Sequence, residues 1–157
     1  MSGRSPSRLI WRWCRGELPG FSVFQMPNCM TGGGHAVLRA FVVEARERLA
    51  AVDRKLDALQ SIPGNAVLWI GICRDFHAVT RGAAFFDVTA LLELCRLVEA
   101  LFDELRDGGL NLSAELREVI IAATRAARVM IEDVAQGRPA APELALVTQL
   151  RGAVADV

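Results

Sequence analysis

The stretch VLRAFVVEARERLAAVDRKLDAL, residues 37–59, decides the fold class. Its apolar side chains recur at steps of three and four residues, which is the period of one face of an α-helix. Charged side chains fill the opposite face, where Glu44 and Arg48 form an i,i+4 pair. The pattern predicts a long amphipathic helix whose inward face carries Leu38, Phe41, Val42, Ala45, Leu49, Val52, Leu56 and Leu59.

Two more helices follow this stretch, each separated from the last by helix-breaking residues. The segment SIPG (61–64) ends the first helix, because proline cannot continue it, and Asn65 is suited to cap the next helix over about 66–84. The third helix contains ALLELCRLVEALFDELR and stops at DGG (107–109), a glycine C-cap signal.

The rest of the chain predicts a fourth and a fifth helix. Ser113 begins the fourth, and QGRP (136–139) closes it with glycine and then proline. A short fifth helix is expected over about 142–154, with Leu144, Val147, Leu150 and Val154 on its inward face. No segment has the two-residue period of a strand. We therefore predict an all-α fold, an antiparallel up-down-up-down four-helix bundle with an additional short C-terminal helix.

Residues 1–34 differ in composition from the remainder. They are rich in arginine, proline, glycine and serine and show no helical period. They lack the apolar segment and the small-residue cleavage site of a secretory signal peptide. We expect 1–34 to be a disordered or irregular N-terminal arm, or upstream sequence translated ahead of a true start at Met30. Residues 35–157 are then the helical bundle domain.

Composition narrows the function classes. The 18 basic residues are balanced by 18 acidic ones, so nothing predicts nucleic-acid binding. No apolar run approaches the roughly 18–20 residues that a membrane span needs. None of the four cysteines forms a C-x-x-C pair, which is typical of reduced thiols in a cytoplasmic protein. We expect a cytoplasmic protein without nucleic-acid or membrane partners.

A histidine stands in the middle of the second predicted helix, in CRDFHAVTRGAAFF (73–86). Arg74, Thr80 and Arg81 lie three or four residues from His77 and therefore share its helix face. These polar neighbours favour a functional histidine, with a partly buried surface histidine as the alternative. A metal site is not expected, because His35, the only other histidine, falls in the glycine-rich arm and no further ligands have useful spacing.

Three stretches together resemble a known family: FVVEARERLAAVDRKLDAL, then CRDFHAVTRGAAFF, then LLELCRLVEALFDELRDGGLNLS. In this order and spacing, over about residues 36–155, they resemble a histidine phosphotransfer (HPt) domain, most of all the N-terminal P1 domain of CheA-type chemotaxis histidine kinases. The resemblance implies that His77 accepts a phosphoryl group. It also implies that Glu99, 22 residues later on the third helix, hydrogen-bonds the imidazole.

The resemblance is imperfect close to the histidine. Arg74 matches an arginine of the family, but Thr80 stands where the family has lysine. Arg81 stands where the family has its first glycine, and Gly82 is one residue further on. We expect Arg74 and Arg81 to offset phosphate charge, and Gly82 to keep the docking surface low.

The function implied by the resemblance is that of a phosphoryl carrier in two-component or chemotaxis signalling. His77 would accept the group from the catalytic domain of a histidine kinase and pass it to an aspartate in the receiver domain of a response regulator. No cofactor is expected in this chain, since ATP and magnesium are used by the partner kinase domain. Two alternatives stay open: a degenerate HPt-like bundle that only docks to partners or dimerises, and an unrelated helical bundle.

Overall fold

The computed structural model describes residues 34–107 and 112–155, which form five helices. They are α1 (Gly34–Ser61), α2 (Ala66–Phe85), α3 (Thr89–Asp107), α4 (Ala114–Ala135) and α5 (Leu144–Ala155). The predicted all-α class is confirmed, and the described part of the chain contains no strand. Residues 1–33, which make up nearly all of the expected arm, and the glycines of the expected DGG stop lie outside the described residues.

The helices form the predicted antiparallel bundle. α1 packs against α2 and α4, and α3 packs against α2 and α4, so the four helices close into a ring. Two ion pairs join α1 and α4: Arg46 binds Glu132 at 2.7 Å, and Asp53 binds Arg128 at 2.6 Å. The residue numbers rise along α1 as they fall along α4, so the two helices are antiparallel. Among the described residues, α5 packs on α3 and α4 and makes no contact with α2, so the outer face of α2 stays uncovered.

The predicted apolar faces form the core, with one exception in α5. All of the predicted inward residues of α1 are buried except Leu38, which is partly buried. In α5 the prediction for Leu144 is wrong, because its side chain is 72% exposed, whereas Leu146 is 5% exposed. The two residues lie nearly opposite each other on the helix, and the face that meets α3 and α4 runs through Leu146, Val147 and Leu150.

Side-chain caps fix where two of the helices begin. Asn65 accepts hydrogen bonds from the backbone N–H groups of Val67 and Leu68 at 3.0 and 3.2 Å. Ser113 accepts one from Leu116 N–H at 3.1 Å at the start of α4. A cap of this kind contributes about 1 kcal/mol to helix stability. The Asn65 cap sets the first residue of α2 and therefore the place of its histidine in the helix.

A buried carboxylate fixes the rotation of α2 against α1. Asp75 is 3% exposed and accepts hydrogen bonds from Arg48, at 3.0 Å, and from Lys55, both on α1. A buried charge needs such partners, since desolvating it alone is costly. Because two residues advance a helix by about 200°, turning Asp75 toward α1 turns His77 away from α1.

Candidate functional site

The site is centred on a histidine and a glutamate that meet across two helices. His77 of α2 places its Nδ1 atom 3.2 Å from Oε1 of Glu99 on α3. Both side chains are partly exposed, at 30% and 26%. An ionised carboxylate only accepts hydrogen bonds, so this contact puts the ring proton on Nδ1. In the neutral ring, Nε2 then keeps its lone pair.

Thr80 contacts the same glutamate oxygen. Its hydroxyl oxygen lies 2.9 Å from Glu99 Oε1 and 3.0 Å from the backbone carbonyl oxygen of Phe76. The side chain is buried, with 8% exposure, and it points toward α3. Thr80 therefore lies beside Glu99 beneath the surface, and its contact with that residue was not anticipated from the sequence.

A buried thiol closes the inner side of this group. Cys95 lies one turn before Glu99 on α3 and is fully buried. Burial, followed by the negative charge of Glu99, raises the pKa of the Cys95 thiol to about 12, although a hydrogen bond with Thr80 acts in the opposite direction. The thiol is therefore protonated near neutral pH and does not serve as a nucleophile.

The exposed charged side chains of α2 near the histidine are cationic. Arg74 and Arg81 lie about one turn to either side of His77 on α2, and both are exposed. The only acidic residue of α2, Asp75, is buried against α1. Further along the same face, Phe85 is 65% exposed. The structure thus places both predicted arginines on the face that carries the histidine, next to an exposed aromatic ring.

Gly82 does not lie where the sequence analysis expected. A Cβ atom at this position would come within 2.1 Å of Cε2 and 2.3 Å of Cδ2 in the ring of Phe41 on α1. The glycine thus faces α1 and not the outer surface, and the expectation that it lowers the docking surface is corrected to a packing role. It lies five residues beyond His77, about 140° around the helix.

The remaining histidine lies apart from the site. His35 is exposed and lies in the first turn of α1, whereas the sequence had placed it in the glycine-rich arm. Within residues 34–107 and 112–155, no group of three or more histidine, cysteine or acidic side chains is arranged to hold a metal ion. The helices in this part of the chain also include none that is long and apolar enough to cross a membrane.

Comparisons with known proteins agree with this architecture. A family model described as Hpt domain matches residues 36–156. The chemotaxis protein CheA of Listeria monocytogenes is 27% identical over 108 residues, which cover 69% of this chain and 18% of that protein. CheA of Borreliella burgdorferi is 24% identical over 95 residues, which cover 60% of this chain and 11% of that protein. The matches therefore span less than a fifth of the length of these relatives.

One solved structure shares the fold. It is the phosphorylated P1 domain of CheA3 in complex with CheY6 from R. sphaeroides. The two chains superpose with a TM-score of 0.71 at 22% sequence identity, over 78% of this chain and 98% of the P1 chain.

Proposed function

Because the chain belongs to the Hpt domain family, we propose that it is a phosphoryl carrier that receives the group on His77 and passes it to a receiver-domain aspartate. One observation carries the proposal: the partly exposed His77 ring faces solvent from the uncovered side of α2, while Glu99 accepts a hydrogen bond from Nδ1. The opposite nitrogen, Nε2, is then the nucleophile. We place this phosphoryl transfer in the cytoplasm, because ATP is the phosphoryl donor.

The first transfer uses a kinase catalytic domain that holds ATP and Mg²⁺. The Nε2 lone pair attacks the γ-phosphorus of ATP, a nitrogen–phosphorus bond forms, and the phosphorus–oxygen bond to ADP breaks with its electrons leaving on ADP. The His77 ring keeps the Nδ1 proton and becomes cationic. The carboxylate of Glu99 stabilises that charge, as the acid of a hydrolase triad stabilises its imidazolium. Positioning and charge are what phosphoryl transfer requires of a protein.

The second transfer removes the positive charge from the ring. A carboxylate oxygen of the receiver attacks phosphorus, the nitrogen–phosphorus bond breaks, and its electron pair returns to Nε2. The neutral imidazole of His77 is regenerated with its proton still on Nδ1 and directed at Glu99. No proton is exchanged with solvent in either step, so the pair needs no separate acid or base.

The side chains on the outer face of α2 are suited to bind a protein partner whose reaction centre is acidic. A phosphoryl group brings roughly two negative charges, which Arg74 and Arg81 offset from neighbouring turns. Exposed Phe85 offers an apolar contact on the same side. The solved P1 domain with the same fold is phosphorylated and bound to CheY6, which supports a response-regulator receiver as the partner.

Labelling with ATP tests the proposal. The chain is incubated with a CheA-type kinase core that lacks its own phosphorylation domain and with ATP labelled on the γ-phosphate. We expect acid-labile label on the wild type, none on His77→Gln, and full labelling of His35→Gln, the matched exposed histidine. Label on His77→Gln refutes the assigned acceptor. Binding of the kinase without any label on the wild type supports the degenerate docking bundle instead.

A further inference from the structure

The hydroxyl proton of Thr80 has two oxygen acceptors within reach, besides the protonated thiol of Cys95, which is a weak acceptor. A hydroxyl donates one proton, and its oxygen lies 2.9 Å from Glu99 Oε1 and 3.0 Å from the Phe76 carbonyl. That carbonyl is already the regular helical acceptor for the backbone N–H of residue 80. Glu99 carries a charge, and charge-assisted hydrogen bonds are about twice as strong as neutral ones. The proton of Thr80 is therefore directed at Glu99.

One oxygen of Glu99 thus meets two donors from α2. Oε1 lies 3.2 Å from Nδ1 of His77 and 2.9 Å from the Thr80 hydroxyl. The two donor residues lie three positions apart on one helix face, so they hold this oxygen from two directions. Fully buried Cys95 occupies the inner side of the group. The carboxylate is consequently restrained in the orientation that faces the imidazole.

We propose that Thr80 is a positioning residue that acts through Glu99. Its hydroxyl holds Oε1 against Nδ1 of His77 and thereby selects the ring tautomer in which Nε2 is free to accept a phosphoryl group. A neutral donor leaves the full negative charge of the carboxylate available to the imidazole ring. The inference rests on the proposed function for its kinetic consequence, but its structural part, the tautomer, does not.

The chain contains a matched threonine for comparison. Thr124 on α4 is fully buried, and its hydroxyl lies 2.9 Å from the carbonyl oxygen of Ile120, four residues earlier. This is the same contact with its own helix that Thr80 makes with Phe76, and among the described residues no acidic side chain hydrogen-bonds to Thr124. A purely local role for Thr80 therefore predicts that valine has the same effect at positions 80 and 124.

The test compares Thr80→Val, Thr80→Ser and Thr124→Val by two measurements. Ring-nitrogen NMR shifts report the tautomer of His77, and initial labelling rates with a CheA-type kinase core report phosphoryl acceptance. We expect Thr80→Val to mix the two tautomers and to slow labelling on the order of ten-fold, as is common when an outer orienting group is lost. Thr80→Ser keeps the hydroxyl and should retain the wild-type tautomer and rate. Thr124→Val should also retain both.

Two results overturn the proposal. One is an unchanged tautomer and rate in Thr80→Val, and the other is an equal change in Thr80→Val, Thr80→Ser and Thr124→Val. If Thr80→Val melts too low for measurement, Thr80→Ala removes the same hydroxyl without an added methyl contact. A wild type that takes no label refutes the proposed function alone, because the tautomer comparison needs no kinase and still decides the role of Thr80.

Discussion

Replacing Gly82 by alanine should destabilise the bundle, although alanine is the better helix former. The new Cβ would lie 2.1 and 2.3 Å from two ring carbons of Phe41. Carbon atoms in contact are normally about 3.5–4.0 Å apart, so either the ring or the helix must move by more than about 1 Å. Phe41 is 9% exposed, and its ring stacks on that of Phe86 at a centroid distance of 5.3 Å, which leaves it little room.

Two opposing contributions set the size of the effect. Overpacking of a filled core typically costs about 1–3 kcal/mol. Exchange of glycine for alanine inside a helix returns about 1 kcal/mol. Because the clash at Gly82 involves two ring atoms at distances far below contact, we take the upper part of the first range. The free energy of unfolding should fall by about 1–2 kcal/mol.

Urea denaturation of paired variants measures this effect. Gly152→Ala on α5 is the matched control, because no atom of the described residues that could clash lies within 4 Å of its added Cβ, and it should be neutral or stabilising by up to about 1 kcal/mol. Adding Phe41→Leu to Gly82→Ala should recover part of the loss relative to the sum of the single changes. A Gly82→Ala protein as stable as the Gly152→Ala protein would refute the packing role. A Gly82→Ala protein that lost partner binding at unchanged stability would instead support the original expectation that Gly82 lies on the docking surface.

Three further outcomes are expected. Glu99→Gln removes the charge facing the imidazole but keeps an acceptor, so labelling by the kinase core should slow by about ten- to a hundred-fold with the melting temperature unchanged. The control, Glu104→Gln on another face of α3, should be labelled at the wild-type rate, and equal rates for the two variants would remove Glu99 from the mechanism. Asp75→Asn should lower the free energy of unfolding by about 1–3 kcal/mol in urea, because a buried charge-assisted contact is lost; an unchanged midpoint would exclude its role in fixing α2 on α1. In a variant in which Cys14 and Cys29 are serine and Cys73 is alanine, Cys95 is the one remaining thiol. It should not react with Ellman's reagent at about pH 8, far below its pKa of about 12, until urea is added; rapid reaction of the folded variant would contradict the burial of Cys95.

The helices and most of the core could be predicted because their signals are local. A three- and four-residue apolar spacing identifies the buried face of α1 without knowledge of its neighbours, and Asn65 and Ser113 mark helix starts by their own side-chain chemistry. Leu144 shows the limit of this reasoning. It is apolar and near the expected face, but the position of α5 against α3 and α4 decides which side of a short helix is covered.

The site was less accessible from sequence, for two different reasons. The direction of Gly82 could have been read in advance, since five residues place it about 140° around the helix from His77. The contact between Thr80 and Glu99 could not, because it depends on how α2 and α3 are rotated and separated. From the family resemblance, Thr80 was notable only because it replaces a positively charged lysine. The packed structure brings the Thr80 hydroxyl to the carboxylate of Glu99.

The neutral threonine changes where the charge of a phosphorylated histidine must be balanced. In the proposed chemistry, the cationic ring of phosphorylated His77 is matched by the single negative charge of Glu99, and Thr80 adds no charge. The roughly two negative charges of the phosphoryl group are then left to groups at the surface. Within α2 these groups are Arg74 and Arg81, both exposed and held about one turn away. A partner that supplies its own cation can therefore compete directly for the phosphoryl oxygens, since position 80 carries threonine and not a lysine that could bind them.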